Sequence, residues 1–192
     1  MTGRRIVNVG LTVFVLVAII ALYRWTPTQQ DFQQPVAVNG VIGKPVHTPR
    51  FDLTVDGVRI SKKLRVPRTT PDRDTLSDFV VIDATVKATK EPIHLGKVQI
   101  RTSDGYLYLG SNRSGLQEAD LTGFQFAPDI PARGSFVVEM PADKLPGAVL
   151  LVTEKPFFTE LEPQATISLG VKKDQLAGLR QPVAVLTNAD AS

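Results

Sequence analysis

Hydrophobic and polar positions divide the chain into two regimes. From Ile6 to Tyr23 it reads IVNVGLTVFVLVAIIALY, 18 residues without a charge, in which only Asn8, Thr12 and Tyr23 carry polar side-chain atoms. As a helix rising ~1.5 Å per residue, this run is about 27 Å long, close to the ~30 Å hydrocarbon core of a bilayer. Arg4 and Arg5 precede it, while Tyr23 and Trp25 close it where amphipathic rings favour the headgroup zone, and Arg24 can snorkel to the interface. A cleaved signal peptide wants a shorter apolar core and a small-x-small cleavage site. Here the run ends IIALYRW, with bulky residues instead, and the chain has no cysteine for lipoprotein processing. The pattern predicts an uncleaved signal anchor, a single transmembrane helix within residues 1–25. The positive-inside rule places the N-terminus in the cytoplasm and the C-terminal domain outside the plasma membrane. Asn8, Gly10 and Thr12 are small or polar and are candidates for a helix contact with a membrane partner.

Beyond residue 50 the period changes to two. FDLTVDGVRI (51–60) alternates, with Asp56-Gly57 marking a kink, bulge or tight turn. DFVVIDATVKAT (78–89) puts Val80, Ile82, Ala84 and Val86 on one face. KVQIRTSDGYLYLG (97–110) reads as two strands around Ser103-Asp104-Gly105. LTGFQF (121–126), GSFVVEM (134–140), AVLLVTE (148–154) and ATISLGV (165–171) follow, separated by clusters of Pro, Gly and Asp. No window from 51 to 171 keeps the i, i+3, i+4, i+7 pattern of an amphipathic helix. Seven or so strands at roughly 8–12-residue spacing predict a β-sandwich over 51–173. Residues 26–50, with Pro27, Pro35, Pro45 and Pro49, read as a Pro-rich extracytoplasmic spacer, although VAVNGVIGKPV has the makings of an edge strand or hairpin. Residues 174–192 lose alternation and read as a flexible C-terminal tail, with QPVAVL as an edge strand or partner contact the alternative.

Charge changes the picture once it is apportioned. The 22 Lys+Arg exceed the 19 Asp+Glu by three, and Arg4, Arg5 and Arg24 account for that whole excess. The rest of the chain is neutral, which argues against nucleic acid as a partner. Zero cysteine excludes disulfides, thiolate metal sites and thiol catalysis.

The order of motifs resembles a known family. An anchor and a Pro-rich spacer lead to a strand ending in Thr89, Lys90, Pro92 and Ile93, then to an Asp104-Gly105 turn. A strand follows with Pro131, Gly134, Phe136, Val137, Val138 and Pro141. Over roughly residues 40–171 this is similar to the telokin-like, immunoglobulin-fold extracytoplasmic domains of Gram-positive bacteria, many of them domains of unknown function. The basic insertion at 59–73 departs from the pattern. The resemblance implies an immunoglobulin-like sandwich used for binding or scaffolding, with no catalytic residues to carry over.

Candidate chemistry is sparse. Arg59, Lys62, Lys63, Arg65, Arg68 and Arg73 form a basic run, either a patch for an anionic partner or a solvated edge strand protected from pairing. Asp72, Asp74 and Asp78 offer oxygens, but TTPDRDTLSDF lacks the Gly and Glu of a calcium loop and reads as a solvated turn. His94 has no G-x-S-x-G elbow to serve. Glu160 and Glu162 sit in a loop rich in Pro and Phe, where Phe157 and Phe158 are candidate partner contacts. Asn112-Arg113-Ser114 is a formal sequon. No phosphate-cradling glycine motif occurs, so neither cofactor nor metal is expected. These readings converge on a non-enzymatic, membrane-anchored binding or scaffold module, an accessory to a membrane complex such as a transporter or a binder of envelope material. The alternatives are a secreted sandwich released near residue 25, or an envelope hydrolase using His94.

Overall fold

The computed structural model describes residues 2–25, 36–67, 71–111, 116, 119–155, 163–187 and 190–191. The chain divides into two units, Met1–Gln34 and Pro35–Ser192.

The first unit contains helix α1, Thr2–Trp25, with no acid in its first turn and Arg24 in its last, where a cation complements the helix dipole. Its described side chains run from Leu11 to Arg24, without Thr12 and Tyr23. Leu11 is 62% exposed, Phe14 71% and Leu22 68%, and Val15, Leu16 and Val17 are exposed as well. Successive helical residues lie about 100° apart, so Phe14 to Val17 alone sweep nearly the full circle. The apolar surface therefore has no inward face. Among the described residues no helix is long and apolar enough to cross a membrane. The apolar run 6–23 lies within α1, but only part of its side chains is described, and Asn8, Gly10 and Thr12 fall outside the described side chains.

The second unit is a β-sandwich. Its strands are β1 (Val36–Val41), β2 (Val46–His47), β3 (Phe51–Arg65), β4 (Arg73–Ala88), β5 (Ile93–Arg101) and β6 (Leu107–Leu109). They continue with β7 (Gln125–Phe126), β8 (Ala132–Met140), β9 (Val149–Glu154), β10 (Pro163–Ser168), β11 (Ala184–Val185) and β12 (Asp190–Ala191). One sheet has the order β1-β10-β9-β5-β6, with β7 also on β5; the other has β11-β3-β4-β8-β12, with β2 also on β3. Consecutive strands change sheets between β1 and β2, β4 and β5, β7 and β8, β8 and β9, and β10 and β11, and these crossings close two sheets over one core.

Period two explains the core. Leu53, Val55, Ile60, Val80, Ile82, Val86, Phe136, Val138, Leu150, Val152 and Ile167 project between the sheets and are buried. The register of β3 against β4 shifts between Val55 and Gly57, so Asp56-Gly57 is a bulge. The Ser103-Asp104-Gly105 turn joins β5 to β6, with Gly105 at φ 88°, a conformation natural to glycine.

Three expectations need correction. The spacer does not extend to residue 50: β1 pairs in parallel with β10, Val46 is buried, and Val38 and Ile42 pack on the core. The LTGFQF strand is mostly a 3-10 turn, Leu121–Gly123, followed only by the two residues of β7. Nor does a flexible tail begin at residue 174. A 3-10 turn (Lys173–Gln175), a short helix α2 (Leu176–Leu179) and β11 follow, and β11 pairs in parallel with β3. The cause lies in β4, whose Phe79 and Val81 face away from the main core. With Leu64, Val66 and Val137 they make a second apolar cluster, and Ala184 and Leu186 cover it. An uncovered row of this kind would stay in water, so burial holds the tail down.

Candidate functional site

The basic run lies on the β3–β4 ribbon, and pairing across the two strands decides its character. Arg59 grips Asp83 through Nε at 2.8 Å and Nη2 at 2.6 Å, and Ser135 donates its hydroxyl to the same carboxylate at 2.7 Å. Arg65 holds Asp72 with two bonds of 2.8 Å, and this hydrogen bond lowers the Asp72 pKa below its ordinary value. Lys63 stands opposite Asp74 at 3.7 Å. Lys62 lies 3.4 Å from Asp78 and donates to the carbonyls of Leu76 and Ser77. Arg73 is the next base along, on β4, with Nε buried and without a hydrogen-bond partner. Arg68 lies outside the described residues. Four bases of β3 thus meet four acids, and the ribbon neutralises itself. The same pairs occupy Asp72, Asp74 and Asp78, the oxygens considered for calcium.

Asp78, 6% exposed, anchors the tail to this ribbon. It accepts from the Ala142 N–H at 3.0 Å and from Arg180 at 3.1 Å. Burial pushes its carboxyl up, but the Ala142 N–H, Arg180 and Lys62 outweigh that and hold its pKa below the ordinary value. Arg59 and Ser61 add bonds to the tail carbonyls of Val185 and Pro182.

A second polar site lies at the β5 edge. β7 pairs with β5 at Ile93 and His94 and β6 from Gln99 onward, with the Gly110 N–H on the Val98 carbonyl at 2.8 Å, so among the described residues the edge is open from Leu95 to Lys97. Opposite stands the 3-10 turn of Leu121–Gly123, capped by Asp120, whose Oδ1 accepts the Thr122 N–H at 2.8 Å and the Thr122 hydroxyl. Between them is a groove of about 420 Å³, lined by Lys97, Gln99, Leu109, Ser111, Asp120 and Thr122 over backbone at Gly96 and Gly110. Ser111 donates its hydroxyl to Glu139 at 3.0 Å. Asp120 is 3% exposed, and burial lifts its pKa to about 6 against the opposing bonds from Thr122.

Comparison with solved structures finds similarity to an uncharacterized β-sandwich protein from Clostridium difficile 630. The identity is 14%, over 70% of this chain and 95% of that chain, with a TM-score of 0.44. The yjhA protein from Bacillus subtilis is 11% identical, over 67% of this chain and 99% of that chain, with a TM-score of 0.49. The second unit of this chain is a β-sandwich. No family model and no curated protein matches the chain. With both TM-scores below 0.5, the likeness carries no argument about function, and the strand order above stands on its own.

The remaining expected positions do not gather into a site. His94 is exposed on β5, its backbone carbonyl accepting from Lys155 at 2.8 Å and its side chain making no hydrogen bond or ion pair among the described residues. Phe157, Phe158, Glu160, Glu162 and Asn112 lie outside the described residues. Sequence reasoning missed Asp120, Ser111, Thr122 and Lys97. A signal was present in Asp120 itself, a residue type favoured at a helix N-cap, but the apolar residues after it read as a strand.

Proposed function

We propose that this chain is a single-pass membrane protein that presents an immunoglobulin-like sandwich outside the cytoplasm as a binding module. The observation that carries the reading is helix α1, whose described large apolar side chains, Leu11, Val13 to Val17, Ile19, Ile20 and Leu22, are all exposed and point to every side of the helix. Contiguous apolar surface of this extent marks a membrane or protein contact, and the flanking Arg4 and Arg5 favour a bilayer entered N-terminus inside. The immunoglobulin-like assignment, and with it the telokin-like resemblance, draws support from the strand order. β3, β4 and β8 face β5, β9 and β10, as the A, B and E strands face C, F and G in that fold, while β1 lies parallel to β10. Binding is favoured over hydrolysis because His94 is exposed and its side chain meets no acid or hydroxyl among the described residues.

Fractionation with an alkaline wash tests the anchor: the chain stays in the membrane pellet, and extraction into the wash overturns the reading. Replacing Val15 and Leu16 by Arg releases it, since each charge near the helix centre costs roughly 2.5–3.5 kcal/mol. The absence of native cysteine makes orientation measurable. A Lys172→Cys variant is labelled by a membrane-impermeant maleimide on intact cells, and labelling only after lysis overturns the outward placement.

A further inference from the structure

Two carboxylates are buried among the described residues, and their surroundings are opposite. Asp78 is met by Arg180, Lys62 and a backbone N–H. Asp120 is met by no cation among the described residues. Its Oδ1 is taken by Thr122, and the Gly123 N–H adds a further neutral donor to the carboxylate. A buried carboxylate held only by neutral donors keeps a desolvation cost that a cation would relieve.

The hydroxyls around it sharpen the chemistry. Ser111 has committed its proton to Glu139, and Thr122 has committed its own to Asp120. Each hydroxyl has a single proton, so these two residues and Asp120 offer the groove lone pairs only. This corner of the groove suits a donor-rich cation. Lys97 lines the same groove, exposed, and makes no ion pair with Asp120 or any other described acid. Opposite charges share one cavity of about 420 Å³ without neutralising each other, a volume within the range of small-molecule sites. Among the described residues no aromatic ring lines it.

We propose that the groove binds a small zwitterion of the amino-acid class, its ammonium on Asp120 and the acceptor hydroxyls and its carboxylate on Lys97. This deepens the binding-module reading and rests on it. The test is calorimetric titration of the full chain in detergent near neutral pH. The probes are glycine, alanine, lysine and glutamate as free amino acids, with methylamine and acetate as half-ligands. At least one amino acid binds saturably at one site and more tightly than either half-ligand. Asp120→Asn, which keeps a capping oxygen, weakens it at least tenfold, and Lys97→Met at least fivefold. Leu109→Trp fills the groove without touching either charge and abolishes binding, which covers the event that the Asp120 variant fails to fold. Silence from all four amino acids overturns the proposal. So does methylamine binding as tightly as they do with Lys97→Met without effect, the mark of a plain cation site. A chain that stays in the alkaline-washed pellet yet binds no probe loses only the groove assignment, whereas one that binds but leaves the membrane loses only the anchor.

Discussion

Replacing Asp120 by Asn separates a strained binding group from a plain turn cap, because the two roles predict opposite signs. Burial raises the Asp120 pKa from 3.8 to about 6. The folded state thus holds this proton more tightly than the unfolded chain does. The penalty is absent below the unfolded value, grows as pH rises toward 6, and is complete above it. A shift of about two units at about 1.4 kcal/mol each gives roughly 3 kcal/mol of destabilisation at neutral pH. Asn cannot ionise and still accepts from the Thr122 N–H, although it loses the extra strength of a charged acceptor, a fraction of the ~0.5–2 kcal/mol that a cap supplies. The variant is therefore more stable than the native chain by about 1–3 kcal/mol near pH 8, and the advantage nearly vanishes near pH 4. Urea unfolding of the full chain, followed by far-ultraviolet circular dichroism at both pH values, measures the difference. A variant less stable near pH 8, or a difference indifferent to pH, would refute the reasoning and leave Asp120 as a cap.

Four other substitutions probe the frame of the sandwich. A Cβ at Gly96 would lie 2.6 Å from the Glu154 carbonyl oxygen and 3.0 Å from the Lys155 Cα, backbone that cannot step aside. Gly96→Ala destabilises by about 1–3 kcal/mol, while Gly57→Ala, which meets nothing within 4 Å, stays within about 0.5 kcal/mol on the same urea curves. Leu186→Ala opens the outer cluster and costs about 2–4 kcal/mol, and hydrogen exchange at the tail amides accelerates with it. Asp78→Asn weakens bonds to the Ala142 N–H and Arg180 and costs about 1–3 kcal/mol near neutral pH. Because the Asp78 pKa is lowered in the fold, that cost is present above pH 4 and fades as pH falls through the folded value, a trend opposite to that of Asp120.

The two buried acids also mark where the sequence stopped being readable. Strand existence followed from alternation where one side is partly solvated, as in β3 and the second half of β4, and from short apolar runs in β8 and β9, which are buried on both faces. The tail was misread because Ala184 and Leu186 are too few to show a period. The reason they dock sits a hundred residues earlier, in the outward-facing Phe79 and Val81 of an uninterrupted apolar run. Such a run announces burial on both faces without saying what covers the second. The groove was invisible for a related reason. Lys97, Ser111 and Asp120 come together only because the open edge of β5 faces the 3-10 turn, and no local spacing encodes that meeting. The basic run was legible as composition, but its partners were assigned by register, as in Lys63 opposite Asp74.

Register also bears on how the module meets a ligand. An unpaired basic ribbon would attract anions over a Debye length, about 8 Å at physiological ionic strength, and its binding would fall steeply with salt. Here Arg59, Lys62, Lys63 and Arg65 spend their field on Asp83, Asp78, Asp74 and Asp72. What remains for recognition is short-ranged: a desolvated carboxylate, fixed lone pairs and one ammonium within the same cavity. Affinity in such a groove depends on fit and protonation, with little contribution from the surrounding field. Raising sodium chloride from about 50 mM to about 200 mM then changes amino-acid affinity by less than about threefold. A drop of tenfold or more over that range would mean that a surface field governs the encounter, and would move the binding site from the β5 groove back to an exposed patch of charge.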